Sequence, residues 1–282
     1  MKNEVTVRLA SFFIIFIFIA LWELIAPRRQ PTVSKGRRWF ANLGIVFLNS
    51  ALVRVAMPIL PVGLAMLAQK EGWGLLNVLD PPFPLELIAG IVLLDLVVYL
   101  QHVMFHAVPI LWRIHMMHHA DLDYDLTTGL RFHPVEIIIS MGIKLAAVAA
   151  IGPSVFTVIL FEILLNGLAT FNHGNIYIPH AIDRVLRLFL VTPDMHRVHH
   201  SVTIRETNSN FGFNMPWWDR LFGTYRAQPI AGHEGMTIGL SQFRDPDHLG
   251  LLWMLALPFT GKPGSYSINR WGKEPSIKKG RG

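Results

Sequence analysis

Three groups of histidine dominate the chemistry available to this sequence: His102-x3-His106, His115-x2-His118-His119 and His196-x2-His199-His200. Residues three and four apart on a helix share a face, with Cβ atoms ~5–6 Å apart, so each group aims two or three imidazoles at one point. Neutral imidazole is a ligand for Zn, Cu, Fe or Ni, and a helix face presents two such ligands at a fixed separation. Eight imidazoles exceed what even a six-coordinate ion can use. The count therefore predicts two ions, each with positions free for water, dioxygen or substrate. His133, in Arg131-Phe-His-Pro134, and His173, in Asn172-His-Gly-Asn175, read either as further ligands or as residues that orient ligands or close helix ends. His180, His233 and His248 have no such neighbours.

The acidic residues near these groups are ambiguous. Asp121, Asp123 and Asp125 alternate like the start of a calcium loop, but Leu126 stands where that loop needs glycine and Phe132 where it needs glutamate. These three, and Asp219, are expected either to orient the imidazoles or to be solvated turn residues. The chain has no cysteine, which excludes disulfides, thiolate zinc, Cys-ligated iron–sulfur clusters and a cysteine nucleophile. His-Glu-x-x-His, Gly-x-Ser-x-Gly and Gly-x-Gly-x-x-Gly are all absent, which disfavours zincin, serine-hydrolase and dinucleotide chemistry.

The elements that must position the histidines are membrane spans. Of 282 residues, 52% are hydrophobic and only 16% charged, against about 25% charged in soluble domains. An apolar run from Leu9 to Ala26 is long enough to cross once, and its length and flanks favour a retained span over a cleaved signal. Phe40 to Gln69 carries only Arg54, with Pro58 and Pro61 breaking it into a kinked span or a re-entrant hairpin. Further runs extend over Pro84 to Phe105, Val135 to Ile151 and Ser154 to Phe171, the last two meeting at a Gly152-Pro153 turn. Arg28, Arg29, Lys35, Arg37 and Arg38 follow the first span, which puts that loop in the cytosol. With one crossing for Phe40 to Gln69, every histidine group and the basic C-terminal third share that side. The net charge of +6 then reflects an anionic leaflet, and no nucleic-acid partner is expected.

Charges inside spans need partners, so Arg54, Asp95, Lys144 and Glu162 are singled out, with Lys144 and Glu162 at matching depth on the two arms of the hairpin. Ile178 to Val191 reads as a helix lying at the interface, with Trp217, Trp218 and Phe222 either anchoring the cap to headgroups or packing its core. The stretch beyond Gly261, rich in Gly, Ser, Lys and Pro, reads as a flexible tail.

The three histidine groups, together with Thr128-Gly-Leu-Arg-Phe-His-Pro134, Asn172-His-Gly-Asn175, Thr192-Pro-Asp-Met-His-Arg-Val-His-His-Ser201, Asn210-Phe-Gly212 and Trp218-Asp-Arg-Leu-Phe-Gly-Thr-Tyr225, resemble the fatty acid hydroxylase/sterol desaturase superfamily of membrane di-iron enzymes. The likeness covers about residues 85 to 226 and is greatest to bacterial members and alkylglycerol monooxygenase. It implies O2-dependent hydroxylation or desaturation of a lipid. Oxidative attack on a C–H bond requires a redox metal, hence iron rather than zinc. With no cysteine cluster, dinucleotide fingerprint or haem domain, electrons must come from a separate donor such as cytochrome b5, ferredoxin or a reduced pterin. The expected protein is all-α, with four or five transmembrane helices and a cytosolic helical cap holding a dimetal centre. Its parts are N-terminal spans over 1–83, a catalytic domain over 84–226 and a C-terminal segment over 227–282. The alternative is a metal-ion transporter or other metal-binding membrane protein, whose sites belong near the bilayer midplane.

Overall fold

The computed structural model describes residues 4–260 and 263–268; most of the C-terminal tail lies outside them. Among the described residues the protein is all-helical, with two isolated bridges, Pro27 to Ile176 and Ser201 to Ile238, and no strands. The membrane part comprises α1 (Glu4–Ile25), α2 (Lys35–Ala56), α3 (Pro61–Glu71), the short α4 (Leu75–Leu79) and α5 (Phe83–Ala107). After α6 (Pro109–His119) it is completed by α7 (Pro134–Ile151) and α8 (Val155–Asn172). Five segments are long and apolar enough to cross a bilayer, the second running from Lys35 through α2 to α4, and the chain is an integral multi-pass membrane protein.

Polar contacts at the two ends of the bundle give the direction of each crossing. Glu23, near the end of α1, accepts from the backbone N–H groups of Leu126 and Asn175, both at 2.8 Å. Arg38, at the start of α2, reaches Asp121 and Asp125 at the same end. The other end of this segment, Gly74, lies against the α7–α8 turn so closely that a Cβ there would sit 2.4 Å from the Gly152 nitrogen. The stretch from α2 to α4 therefore starts at the histidine end and finishes at the opposite one. It crosses once, interrupted between Ala56 and Pro61 where Pro58 and Pro61 remove helix donors. At the far turn Glu86 of α5 accepts from Ser154 N and Thr157 Oγ1, so α5 and α8 start together there and run in parallel to the histidines.

Lys144 and Glu162 pair at 3.3 Å, and Arg8 of α1 joins them at 3.0 Å from the second Glu162 oxygen. Asp95 finds Trp218, whose indole N–H donates at 2.8 Å. Arg54 departs from the expectation: it is exposed in the last turn of α2 and has no acidic partner among the described residues. Its place beside the proline break explains this, since no neighbouring helix is packed over that face.

The cap consists of α6, the 120–133 loop and the short helices α9 (His180–Leu186), α10 (Pro193–His199), α11 (Ile204–Thr207), α12 (Trp217–Leu221), α13 (Gly232–Gly235) and α14 (Leu251–Thr260). Around α9 the usual polarity of a soluble helix is inverted. Ile182, Val185, Leu188 and Phe189 are exposed, whereas Asp183 and Arg187 are buried as a 2.7 Å ion pair. That arrangement suits a helix against lipid. Trp217 is half-exposed, Trp218 is committed to Asp95, and Phe222 stacks on Tyr99.

Because Glu162 serves two cations, its loss breaks both pairs, stranding Lys144 and leaving Arg8 with Glu4 alone, while loss of Lys144 leaves the Arg8 pair. Glu162→Gln is expected to destabilise by roughly 2–4 kcal/mol and Lys144→Met by about 1 kcal/mol or less. Thermal unfolding in detergent checks the order, and equal losses would contradict it.

Candidate metal centre

Nine of the ten histidines singled out above converge, and they do so as two groups. His102, His106, His115, His119 and His199 form one, and His118, His173, His196 and His200 the other; within each group the nearest ring nitrogens all lie within 4.8 Å of one another. Helical geometry explains the division. Pairs four apart stay together: His102 with His106, His115 with His119, His196 with His200. Neighbours in sequence point about 100° apart, so His118 and His119 go to different groups, as do His199 and His200. Thus α6 gives two rings to the five and one to the four, α10 with its C-cap residue does the reverse, α5 completes the five, and His173 at the end of α8 completes the four.

All nine are buried. Five are fixed through Nδ1, and each partner there is an acceptor. His102 donates to the Phe211 carbonyl at 2.8 Å, His199 to Ser209 at 2.7 Å and His173 to Ala169 at 2.8 Å. His115 donates to Glu136 at 2.7 Å and His106 to Asn208 Oδ1 at 3.1 Å. The Asn208 amide is itself oriented, because its nitrogen donates to the Tyr266 carbonyl at 2.7 Å. With Nδ1 donating outward, Nε2 is the atom that each of these rings turns inward.

This creates a contradiction that a cation resolves. His102 Nε2 and His199 Nε2 stand 3.1 Å apart, both as acceptors. His173 Nε2 is 3.3 Å from His118 Nε2 and 3.2 Å from His196 Nε2. Protonation is no remedy, since burial, and then neighbouring imidazoles, push His118, His119, His196, His199 and His200 well below the usual histidine range. Burial likewise takes His173 down to about 4. Adjacent ligand atoms at right angles on one ion, with bonds of about 2.1 Å, lie about 3 Å apart, close to the separations seen. Several ring nitrogens, including both of His119 and both of His200, are buried without any hydrogen-bond partner. The residues present fit two metal ions.

The surroundings are apolar and aromatic. Phe132 stacks on His118 with centroids 4.5 Å apart, Trp112 lies 4.8 Å from His106, and Phe211 packs on His102, His106 and His199. Such a shell excludes water. Gly129 belongs to it for steric reasons, since a Cβ there would meet His173 Nδ1 at 2.8 Å.

His133 does not join the nine. It sits at the N-cap of α7, where Nδ1 accepts from Val135 N and Nε2 donates to the Leu255 carbonyl, both at 3.2 Å. A histidine just before proline is placed to close a helix, and this one does. Asp121, Asp123 and Asp125, expected either to orient imidazoles or to be turn residues, make their hydrogen bonds elsewhere. Asp121 grips Arg38 through both oxygens at 2.7 and 2.8 Å, and Asp125 takes the same guanidinium at 2.6 Å. Burial pushes the Asp121 carboxyl up, but Arg38 more than offsets it and holds it at about 2. Asp123 accepts from Thr32 and Val33 instead. Asp219 is one step removed from the rings: it accepts from Phe211 N and Gly212 N, both at 2.8 Å, and so fixes the loop whose carbonyls hold His102 and His199. Sequence reasoning passed over Glu136, the carboxylate that does touch a histidine. Its signal was available, as an acid within the apolar run that begins at Val135.

Comparison with known proteins agrees with this geometry. Residues 87–224 match the model of the fatty acid hydroxylase family. Over 272 residues the chain is 25% identical to ornithine lipid hydroxylase OlsE of Rhizobium tropici, covering 91% of this chain and 76% of that protein. It is 29% identical over 178 residues to human alkylglycerol monooxygenase and 32% identical over 164 residues to the Xenopus tropicalis protein. These last two alignments cover 60% and 55% of this chain but only 37% and 34% of the relatives' length. No solved structure matches.

Two predictions follow from the distinction between rings that face the centre and rings that do not. Glu136→Ala should weaken metal retention about 10–100-fold, whereas His133→Ala should leave metal content unchanged and cost about 1 kcal/mol as a lost helix cap; competition with a chelator and thermal unfolding read the two effects. His233, buried near Asp194, supplies a pH test. Burial lowers it to about 4 although Asp194 opposes this from 3.6 Å. The unfolded chain then takes its proton first, so stability is fully present above about pH 6.5 and is lost as pH falls from there toward the folded value. His233→Phe should remove about 1–2 kcal/mol of the destabilisation seen near pH 5, read as a smaller drop in Tm on acidification.

Proposed function

We propose that this protein is a lipid hydroxylase of the bilayer, an oxygenase whose nine convergent histidines hold two iron ions. The observation that carries it is the division of those rings into five and four with lone pairs turned inward. The names of the relatives, a lipid hydroxylase and a monooxygenase of alkylglycerols, support the reaction class. When bound, iron supplies redox chemistry with O2 that can oxidise an unactivated C–H bond, which zinc cannot. Desaturation and ether-lipid cleavage are variants of the same chemistry.

The chain's own part is to position and to exclude. His102, His106, His115, His119 and His199 would hold one ion, and His118, His173, His196 and His200 the other. Carbonyls of Ala169, Ser209 and Phe211, with Glu136 and Asn208, keep the rings turned inward. Phe132, Trp112 and Phe211 keep water out. An alkyl chain reaches the centre from the bilayer, between the spans whose ends carry the ligands. Electrons come from a separate donor, cytochrome b5, ferredoxin or a reduced pterin. The basic loop after α1 supports a cytosolic position for the cap and the centre. Enclosure of the rings at the helix ends, rather than along a path through the midplane, disfavours ion transport.

The test is lipid analysis of cells with and without the protein under 18O2, with metal analysis of the purified chain. A new hydroxylated lipid carrying one labelled oxygen, and two irons per chain, are expected; His102→Ala and His196→Ala should each reduce labelling at least 100-fold. An unchanged lipid profile, or a chain that binds no metal, would overturn the reading.

A further inference from the structure

The five basic residues that follow α1 do more than orient the chain, and their pairing singles one of them out. Arg28 is bonded to Asp194 and Glu234, Lys35 to Glu23 at 3.3 Å, Arg37 to Asp247 at 2.8 Å, and Arg38 to Asp121 and Asp125. Arg29 has no ion pair among the described residues. Its Nη1 is out of solvent and without a hydrogen-bond partner. Burying a cationic donor unpaired is unfavourable, and the backbone here does not let the residue swing away. Asn175 accepts from Arg29 N at 3.0 Å and donates to its carbonyl at 2.7 Å. Burial, and then Arg197, depress the basicity of this guanidinium, against the smaller opposing pull of Asp123 and Glu234.

Arg29 lines a cavity of about 210 Å³ between the end of α1, the 27–35 loop and the 123–125 loop. Two features place it at the level of lipid headgroups. It opens where α1 leaves the bundle, and Leu24 and Ile25 beside it are 70% and 82% exposed. Of its other charged walls, Glu23, Lys35, Arg38 and Asp125 are paired with one another or with Asp121, and both oxygens of Asp123 accept from Thr32 and Val33. We infer that this cavity is a binding site for the anionic group, phosphate or carboxylate, of a lipid headgroup, with Arg29 as its cationic donor and the acyl chains left in the bilayer beside Leu24 and Ile25. Guanidinium is suited to such oxyanions because its N–H groups form a planar fork. The inference rests on the membrane topology and is independent of the metal chemistry proposed above.

Native mass spectrometry of the full chain in detergent, with dioleoyl phosphatidylglycerol or dioleoyl phosphatidylcholine added, tests it. The wild-type chain should retain one phosphatidylglycerol in preference to phosphatidylcholine. Arg29→Gln should lower that retention at least tenfold, Arg29→Lys should restore part of it, and Arg37→Gln, which removes an equal charge nearby, should leave it unchanged. Thermal unfolding of each variant confirms that it is folded. Inorganic phosphate that displaces the lipid only at large excess supports a headgroup site. Phosphate binding as tightly as the lipid would overturn the lipid assignment, and equal retention by wild type and Arg29→Gln, or equal loss in Arg37→Gln, would overturn the site.

Discussion

Nine buried imidazoles facing one another in a dry pocket are the constraint on which the rest of this fold turns. Each unpartnered buried nitrogen is unfavourable by about 1–3 kcal/mol, and stabilities of whole domains are only about 5–15 kcal/mol. A fold could not sustain such a cluster for packing alone. The arrangement is coherent only when cations occupy the space between the lone pairs, and metal binding then contributes to folding itself. The elements that carry the rings, α5, α6, α8 and α10, come from widely separated stretches of chain and are brought to one end of the bundle.

Holding them there requires that spans and cap keep a fixed register, and polar side chains on the spans do this. Glu23 of α1 bonds the 126 and 175 backbones, and Asn42 and Asn49 of α2 bond Thr127 and the Phe132 carbonyl. On α5, Asp95 accepts from Trp218 and Tyr99 bonds Thr224. Arg38 is the most heavily engaged, bridging Asp121, Asp125 and Thr128 while almost fully buried. A buried ion pair of this kind contributes little net stability against an apolar equivalent. Its value is directional: two carboxylates and a fork of donors fit in one geometry, which sets α2 against the loop between His119 and His133.

The spacing of histidines made the centre legible, and apolar length with charge made the spans legible. Both signals are local, and helical geometry converts them directly into position. The Lys144–Glu162 pair was likewise readable, because similar depth on two arms of one hairpin is a matter of counting. What escaped depended on partners remote in sequence. Nothing local shows that Asp121 and Asp125 would find Arg38, some 80 residues away, rather than the histidines a few positions before them. His133 misled for the opposite reason: its position before Pro134 marks a helix start as strongly as its type suggests a ligand. Glu136 was hidden by the apolar residues around it, although the argument applied to Glu162, that a charge in a span needs a partner, applies equally to it.

The His-His doublets explain why there is one centre rather than two separate sites. Side chains adjacent on a helix diverge by about 100°, so a doublet cannot serve a single point. It must serve two points, one on either side of its helix end. His118-His119 on α6 does so, and His199-His200 at the end of α10 does the same from the facing direction, so the two groups are forced to share a wall. That wall is visible in the stacking of His119 on His200, with centroids 4.6 Å apart and planes inclined by 20°. The pairs at four-residue spacing, by contrast, could each have built an isolated site. It is the doublets that fix the separation of the two groups, and a shift of either helix along its axis would disturb both groups together.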